Sequence, residues 1–170
     1  MIMMIQGKIL SYGDDLAEVF RIRREVLVEE FGVSEEIEFD GLDEHAMHVI
    51  VYEEDNRKNL SGELSKEKKA VATGRIVYDG ISCEIGHIAV LKEFRGKKYG
   101  DFTVRMLLNK AFTGGINEVV VNIDPILEKF YQKIGFKRVS SSNKEEFSQF
   151  KMIIHPGDAV SLCSKTVKFN

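Results

Sequence analysis

Residues 84–100 read Glu84-Ile-Gly-His-Ile-Ala-Val-Leu-Lys-Glu-Phe-Arg-Gly-Lys-Lys-Tyr-Gly100. The first seven have the composition of a strand. A turn rich in Gly, Arg and Lys follows, and a helix begins at its end. The first turn of a helix carries unpaired backbone N–H groups and the positive end of the helix dipole, which together attract phosphate. Arg95, Lys97 and Lys98 add cationic charge at the same place. The stretch therefore suits a phosphate-bearing ligand. It contains neither the Gly-x4-Gly-Lys-Ser/Thr pattern of a P-loop nor the Gly-x-Gly-x-x-Gly of a dinucleotide turn.

Upstream, Met1–Leu10 reads as a first strand. Asp15 precedes Glu18 by three residues, the capping-box spacing, and Leu16, Val19, Phe20, Val26, Leu27 and Phe31 recur at helical period. This predicts a helix from there to about Glu30. Ser34–His45 is acidic and turn-like. Strand patterns follow in Ala46–Tyr52, Ala70–Tyr78 and Cys83–Val90, and the polar residues 53–69 are expected to form a mobile loop.

Downstream, Val104, Leu107, Leu108 and Ala111 mark one face of a helix that Gly114-Gly115 ends. Glu118–Ile123 is a strand, and Asp124-Pro125 opens a helix with Asp at the cap and Pro in the first turn. That helix is expected to bury Ile126, Leu127, Phe130 and Ile134. Phe136–Val139 and Phe147–Ile154 suggest a closing hairpin, and residues 155–170 read as a C-terminal extension. The order β, α, a run of strands, then β-α-β-α-β-β predicts one α+β domain with a mixed sheet over residues 1–170.

A length of 170 residues fits one domain. With 44% hydrophobic and 30% charged residues the composition is that of a globular protein, not a collagenous or disordered one. The net charge of −3 hides a split: residues 14–55 hold 15 acidic and 3 basic side chains (−12), and the remainder holds 12 acidic and 21 basic (+9). Such a split fits either two ligands of opposite charge or a solvated acidic helix beside a basic sheet edge. Cys83 and Cys163 are too few and too far apart for a disulfide framework or thiolate zinc site. Met1–Leu10 lacks the features of a secretory leader, and no apolar run approaches a membrane span, so a cytoplasmic location is expected.

Two motifs give the pattern a family. Ile88-Ala-Val90, four residues, then Arg95-Gly-Lys-Lys-Tyr-Gly100 resembles the coenzyme A motif of the GNAT acyl-CoA N-acyltransferase superfamily. That motif runs Arg or Gln, two residues, Gly, one residue, Gly or Ala. Phe130-Tyr131-Gln-Lys-Ile-Gly135-Phe136 resembles the same family's aromatic-Tyr-x-x-x-Gly-Phe run. The resemblance covers about Ala46 to Met152. One position departs: Lys98 stands where Gly is usual, which bears on how tightly the turn closes on a pyrophosphate. Glu25-Val-Leu-Val-Glu-Glu30, Glu38-Phe-Asp40, Asp43, His48 and Ala72-Thr-Gly-Arg75 look like the ElaA-like subset of the superfamily.

The resemblance implies a mostly antiparallel mixed sheet with helices on both faces, splayed between its fourth and fifth core strands. The pantetheine arm of acetyl-CoA would lie in the gap against the backbone of Ile88, Ala89 and Val90. Arg95, Gly96, Lys97, Lys98, Tyr99 and Gly100 would hold its pyrophosphate. It implies Tyr131 as the acid that protonates the leaving thiolate, and Glu84, six residues before Val90, as the base. Read by themselves, Tyr131 fits a half-buried helix tyrosine and Glu84 an exposed strand end. His87 competes with Glu84 as base, since imidazole changes charge near neutrality. Strand alternation puts the two on opposite faces unless a bulge intervenes. The ElaA-like match places Glu30, Asp40, His48 and Arg75 beside the acceptor.

Asp124 reads as a helix N-cap. Cys83 has no paired His in view. His45 and His48, though near Glu38, Asp40 and Asp43, match no standard metal-ligand spacing, so no metal is expected. The function implied is direct acetyl transfer from acetyl-CoA to a primary amine of a small molecule or peptide. The alternative is a non-catalytic acyl-CoA sensor or interaction module on the same fold. No nucleic-acid or membrane partner is expected from a pI of 5.9, and homodimers are common in such folds. The acidic segment would favour a cationic amine.

Overall fold

The computed structural model describes residues 3–58, 64–139 and 149–160. Strand β1 (Met3–Leu10) leads to helix α1 (Ala17–Arg23), which runs without a break into a π-helical turn, Arg24–Glu30. The short α2 (Glu35–Glu38) and a 3-10 turn (Asp43–His45) precede β2 (Met47–Lys58), β3 (Leu64–Asp79) and β4 (Ser82–Val90). Then come α3 (Tyr99–Thr113), β5 (Glu118–Ile123), a 3-10 turn (Pro125–Leu127), α4 (Glu128–Ile134), β6 (Lys137–Arg138) and β7 (Phe150–Ile154). The strands form one seven-stranded sheet in the order β1-β2-β3-β4-β5-β7-β6. All neighbours are antiparallel except β4 and β5. The α+β architecture and mixed sheet expected from the sequence are those observed.

Helices cover both faces. On β3, Gly74 faces α3, where a Cβ would meet Thr103 and Leu107 at 2.9 and 3.0 Å. The next residue, Arg75, points the other way and shares Asp43 with Arg23 of α1. Successive strand side chains take opposite faces, so α1 and α3 lie on opposite sides of the sheet. Val19, Ile22 and Val26 fill one layer, and Val104, Leu107, Leu108 and Ala111 the other, all buried. Each such side chain contributes roughly 1.5–3 kcal/mol on leaving water.

Several local expectations are corrected. Asp15 does accept a hydrogen bond from the Ala17 N–H (2.9 Å), but Glu18 turns outward to Arg21 (2.7 Å), so no reciprocal capping box forms. The stretch 53–69 is not a simple loop. Glu53 pairs with Lys69 and Glu54 with Lys68, which extends the β2–β3 ladder to Lys58 and Leu64; residues 59–63 lie outside the described residues. Two opposite-charge pairs, Glu53 with Lys69 and Glu54 with Lys68, support the ladder just past Tyr52, where apolar alternation stops. Ile126 and Leu127 are exposed (85% and 44%), not buried, because the chain there forms a 3-10 turn that presents them to an open cleft. Of the C-terminal extension, residues 161–170 lie outside the described residues, as do residues 140–148 of the expected closing hairpin.

Two irregularities position the site. β4 and β5 pair only at Ser82–Glu118, Cys83–Val119 and Glu84–Val120, and beyond that point the two strands part. β4 also bulges against β3. Thr73 faces Ala89 but Arg75 faces Gly86, so β4 carries one residue more than its partner, and His87 there adopts φ 50°. Such a bulge re-aims a side chain.

Candidate active site

The turn after β4 has the left-handed backbone a tight phosphate-binding turn requires, at Gly96 (φ 77°) and at Lys98 (φ 66°). At Lys98 a side chain occupies a conformation glycine adopts without cost. The lysine still serves as the first residue of the α3 cap, its carbonyl accepting the Phe102 N–H at 3.0 Å. Lys98 therefore preserves the turn that Gly usually makes.

A cleft of about 1030 Å³ runs from this turn to the parting strands. Arg95, Gly96, Lys98, Tyr99 and Gly100 line one end, and Ile88, Val90, Phe130 and Tyr131 the other. Ala89 is buried and points away, and Lys97 stands outside the wall, over the Phe94 ring (4.9 Å) and 3.9 Å from Glu53. Tyr99 donates a short hydrogen bond to Glu53, which anchors the helix start to β2. Arg95 donates to the Val90 carbonyl (3.0 Å) and forms a two-pronged pair with Glu30 (2.7 and 2.6 Å). Glu30 thus sits against the turn after β4 through Arg95 and does not line the second cavity, where Asp40 and Arg75 stand.

A second cavity of about 720 Å³ adjoins the cleft on the α1–α2 side. The two share six lining residues, Leu27, Val33, Ile88, Asp124, Leu127 and Tyr131. Tyr131 is 3% exposed and held edge-to-face between Phe130 (5.0 Å) and Phe136 (5.3 Å). Burial pushes its phenol well above the usual tyrosine range, so it stays protonated at neutral pH. Glu84 and His87 both line the second cavity, brought to one side by the bulge. The Glu84 carboxylate accepts from Asn122 Nδ2 at 3.0 Å.

Behind that cavity lies an ionic cluster. Arg23, fully buried, donates to Glu38 Oε1 (2.5 Å), to the Glu38 carbonyl (2.5 Å) and to Asp43 (2.6 Å). Arg75 grips Asp40 with two nitrogens (2.7 Å each) and Asp43 with one (3.0 Å). Its guanidinium holds the Asp40 carboxyl far below the usual carboxylate range. Asp40 and Arg75 reach the cavity wall. His48 does not: it is fully buried, its Nδ1 has no hydrogen-bond partner among the described residues, and burial lowers its pKa. The carboxylates at 38, 40 and 43 are thus each engaged by arginine, and the −12 segment does not meet the cavity as free negative charge.

Arg23 and Asn122 do not stand out in the sequence, and Glu38 and Asp43 do so only in the ElaA-like resemblance and beside the histidines, without their arginine partners. Only Arg23 left a local signal, a cation four residues after Val19 on an apolar helix stripe. Cys83 is buried with its thiol pushed up to about 12, unsuited to nucleophilic attack. No three or more His, Cys, Asp or Glu side chains are placed to hold a metal ion together among the described residues, and no described helix is long and apolar enough to cross a membrane.

The parted strands, the cationic turn and the tyrosine over the gap define an acyltransferase architecture, and comparison with known proteins agrees. Residues 25–154 match the acetyltransferase (GNAT) domain family model. The chain is 30% identical over 137 residues to the uncharacterized N-acetyltransferase YjcF of Bacillus subtilis (strain 168), covering 80% of this chain and 88% of that one. Escherichia coli ElaA superposes with a TM-score of 0.70 at 22% identity, over 88% of this chain and 99% of its own. The PaiA N-acetyltransferase of Thermoplasma acidophilum, solved in complex with coenzyme A, gives 0.61 at 16% identity over 89% and 99%. This chain belongs to the GNAT acetyltransferase family.

Proposed function

We propose that the protein transfers an acetyl group from acetyl-CoA directly to a primary amine of a small molecule or peptide, with both bound at once. The observation that carries this reading is that Tyr131 and Ile88 line both cavities, so a thioester lying in the cleft and an amine in the second cavity would meet there. The cationic turn and the start of α3 suit the pyrophosphate, and the unpaired β5-facing edge of β4 beyond Glu84 suits the amide-rich pantetheine arm. PaiA, which shares the fold, was solved in complex with coenzyme A, and this supports a coenzyme A ligand for this chain.

In the reaction the amine nitrogen attacks the thioester carbonyl, the C–N bond forms and the C–S bond breaks. The departing thiolate takes a proton from the Tyr131 hydroxyl, and the amine loses one to a group on the second cavity's wall, where Glu84 and His87 stand. The test is a thiol-release assay over an amine panel with acetyl-CoA. Turnover with at least one primary amine is expected. Measurable acetyl-CoA binding without turnover on any amine would overturn the transfer reading in favour of an acyl-CoA sensor.

A further inference from the structure

The two side chains able to take the amine proton are not equivalent. Glu84 sits at the last paired position of β4 and β5, exposed, its carboxylate held by Asn122. His87 stands farther up the strand, in the bulge, 18% exposed and toward the part where the strands diverge. Without the extra residue, alternation would send His87 to the α3 face. With it, the imidazole reaches Glu38 across 49 residues of sequence, Nδ1 lying 2.8 Å from Oε1.

Glu38 is itself fixed. It is 3% exposed and bound through Oε1 to the Arg23 guanidinium, whose Nη2 also holds the Glu38 carbonyl. A buried carboxylate accepts and does not donate, so the 2.8 Å contact requires the proton on Nδ1. The Nε2 lone pair is thereby left free. Nε2 lies 3.9 Å from Asp40 Oδ2, beyond hydrogen-bond distance, and both Asp40 oxygens are taken by Arg75. The charged groups around the ring are then Glu38 and Asp40, with Arg23 Nη2 at 3.4 Å from Nδ1 opposing them. Arg75, which holds both Asp40 oxygens, adds a second cation on that side.

We infer that His87 is the general base of the acetyl transfer, acting through Nε2, and that Glu38 is its positioning residue. The inference rests on the acetyl-transfer reading above and names which group on the acceptor wall receives the proton. As the C–N bond forms, Nε2 takes the amine proton while Tyr131 gives one to the thiolate. Imidazolium and tyrosinate then return to their starting states by exchange with water, so one amine and one thioester yield one amide and one thiol. The strained φ of His87 fits this reading, since a residue held away from ordinary backbone conformations often serves a site.

The test uses the full chain with acetyl-CoA and its best amine. His87→Gln should lower kcat at least about 10²-fold, the usual worth of a general base, with acetyl-CoA Kd unchanged. It should also abolish the acidic limb of the kcat–pH profile. Glu38→Gln should lower kcat less than His87→Gln does and reduce the share of the Nδ1–H tautomer of His87 seen by nitrogen-15 NMR, since the contact that fixes that tautomer is lost; unchanged acetyl-CoA affinity shows that this variant is folded. Nitrogen-15 NMR of the resting protein should show His87 protonated on Nδ1. If wild-type turnover is present and His87→Gln keeps wild-type kcat and pH profile while Glu84→Gln loses them, the assignment is overturned and the transfer reading stands. If the protein binds acetyl-CoA and acetylates nothing, the transfer reading falls and the assignment falls with it.

Discussion

Arg95 and Glu30 meet as a parallel two-pronged pair, Nη1 to Oε1 at 2.7 Å and Nη2 to Oε2 at 2.6 Å, at the mouth of the cleft. The arginine expected to meet a pyrophosphate is therefore already occupied by a carboxylate, and a phosphate must displace it or share it. Both side chains are about one-third exposed, so the pair is screened by water and salt and its grip is modest. Glu30→Gln should tighten acetyl-CoA binding up to about fivefold by calorimetry, and more at low salt than at high. Weaker binding in this variant would instead show that Glu30 holds Arg95 in its binding position.

Tyr131 is placed to protonate the leaving thiolate, so Tyr131→Phe should cut kcat about 10²-fold while leaving acetyl-CoA affinity within about twofold. Because burial raises its pKa above the ordinary value of 10.0, no loss of rate from tyrosinate formation is expected below that pH. A steady-state pH profile to pH 10 checks both points. Full activity in the phenylalanine variant would remove Tyr131 from the chemistry.

His48 and Asp40 make stability depend on pH in two separate windows. Burial lowers the His48 pKa from 6.5, so below pH 6.5 the unfolded chain binds a proton there that the folded chain refuses, and stability falls with pH. Arg75 lowers the Asp40 pKa from 3.8, so its contribution is full above that value and is lost as pH falls further. Melting curves should show a decline from pH 6.5 downward that is reduced in His48→Gln. A second, steeper decline below about pH 4 should be reduced in Asp40→Asn relative to that variant's own value at pH 7. A melting temperature flat between pH 7 and 5 in the wild type would contradict the first window.

Gly74 is fixed by close packing: a Cβ there would lie 2.6 Å from Ile88 Cδ1 and 2.9 Å from Thr103 Cγ2. Gly74→Ala should destabilise by roughly 1–3 kcal/mol, as overpacking of a filled core does. At this chain length that is a drop of about 2–12 °C in melting temperature. Ile88 lines both cavities, so the same variant should weaken acetyl-CoA binding. An unchanged melting temperature would mean that Ile88 swings aside freely.

The parts of this molecule legible in its sequence are those carried by residues near one another in the chain. The turn from Arg95 to Gly100 and the run from Phe130 to Phe136 each state their conformation and place within a few residues, and the fold follows from their order. Charge pairs over long separations left no such trace. Nothing local links His87 to Glu38 or Arg75 to Asp40, and a bulge cannot be read from β4 without knowing its register on β3. The acidic excess of residues 14–55 was visible as a number, but its neutralisation depends on which face of β3 carries Arg75. The β2–β3 arms beyond Tyr52 look like a solvated loop in a single sequence because they are polar and charged, and the pairing of Glu53 with Lys69 and Glu54 with Lys68 spans a separation that no local pattern reports.

The parting of β4 and β5 has one more consequence. A row of unpaired backbone donors and acceptors at a sheet's rim invites another chain to add a strand, a common start of aggregation. Here, among the described residues, the β5-facing edge of β4 beyond Glu84 lacks a partner strand in the middle of the sheet, sunk in a cleft with α4 beside it, and Arg95 caps its end at the Val90 carbonyl. The fold keeps this edge indoors, away from the strand of a neighbouring protein molecule.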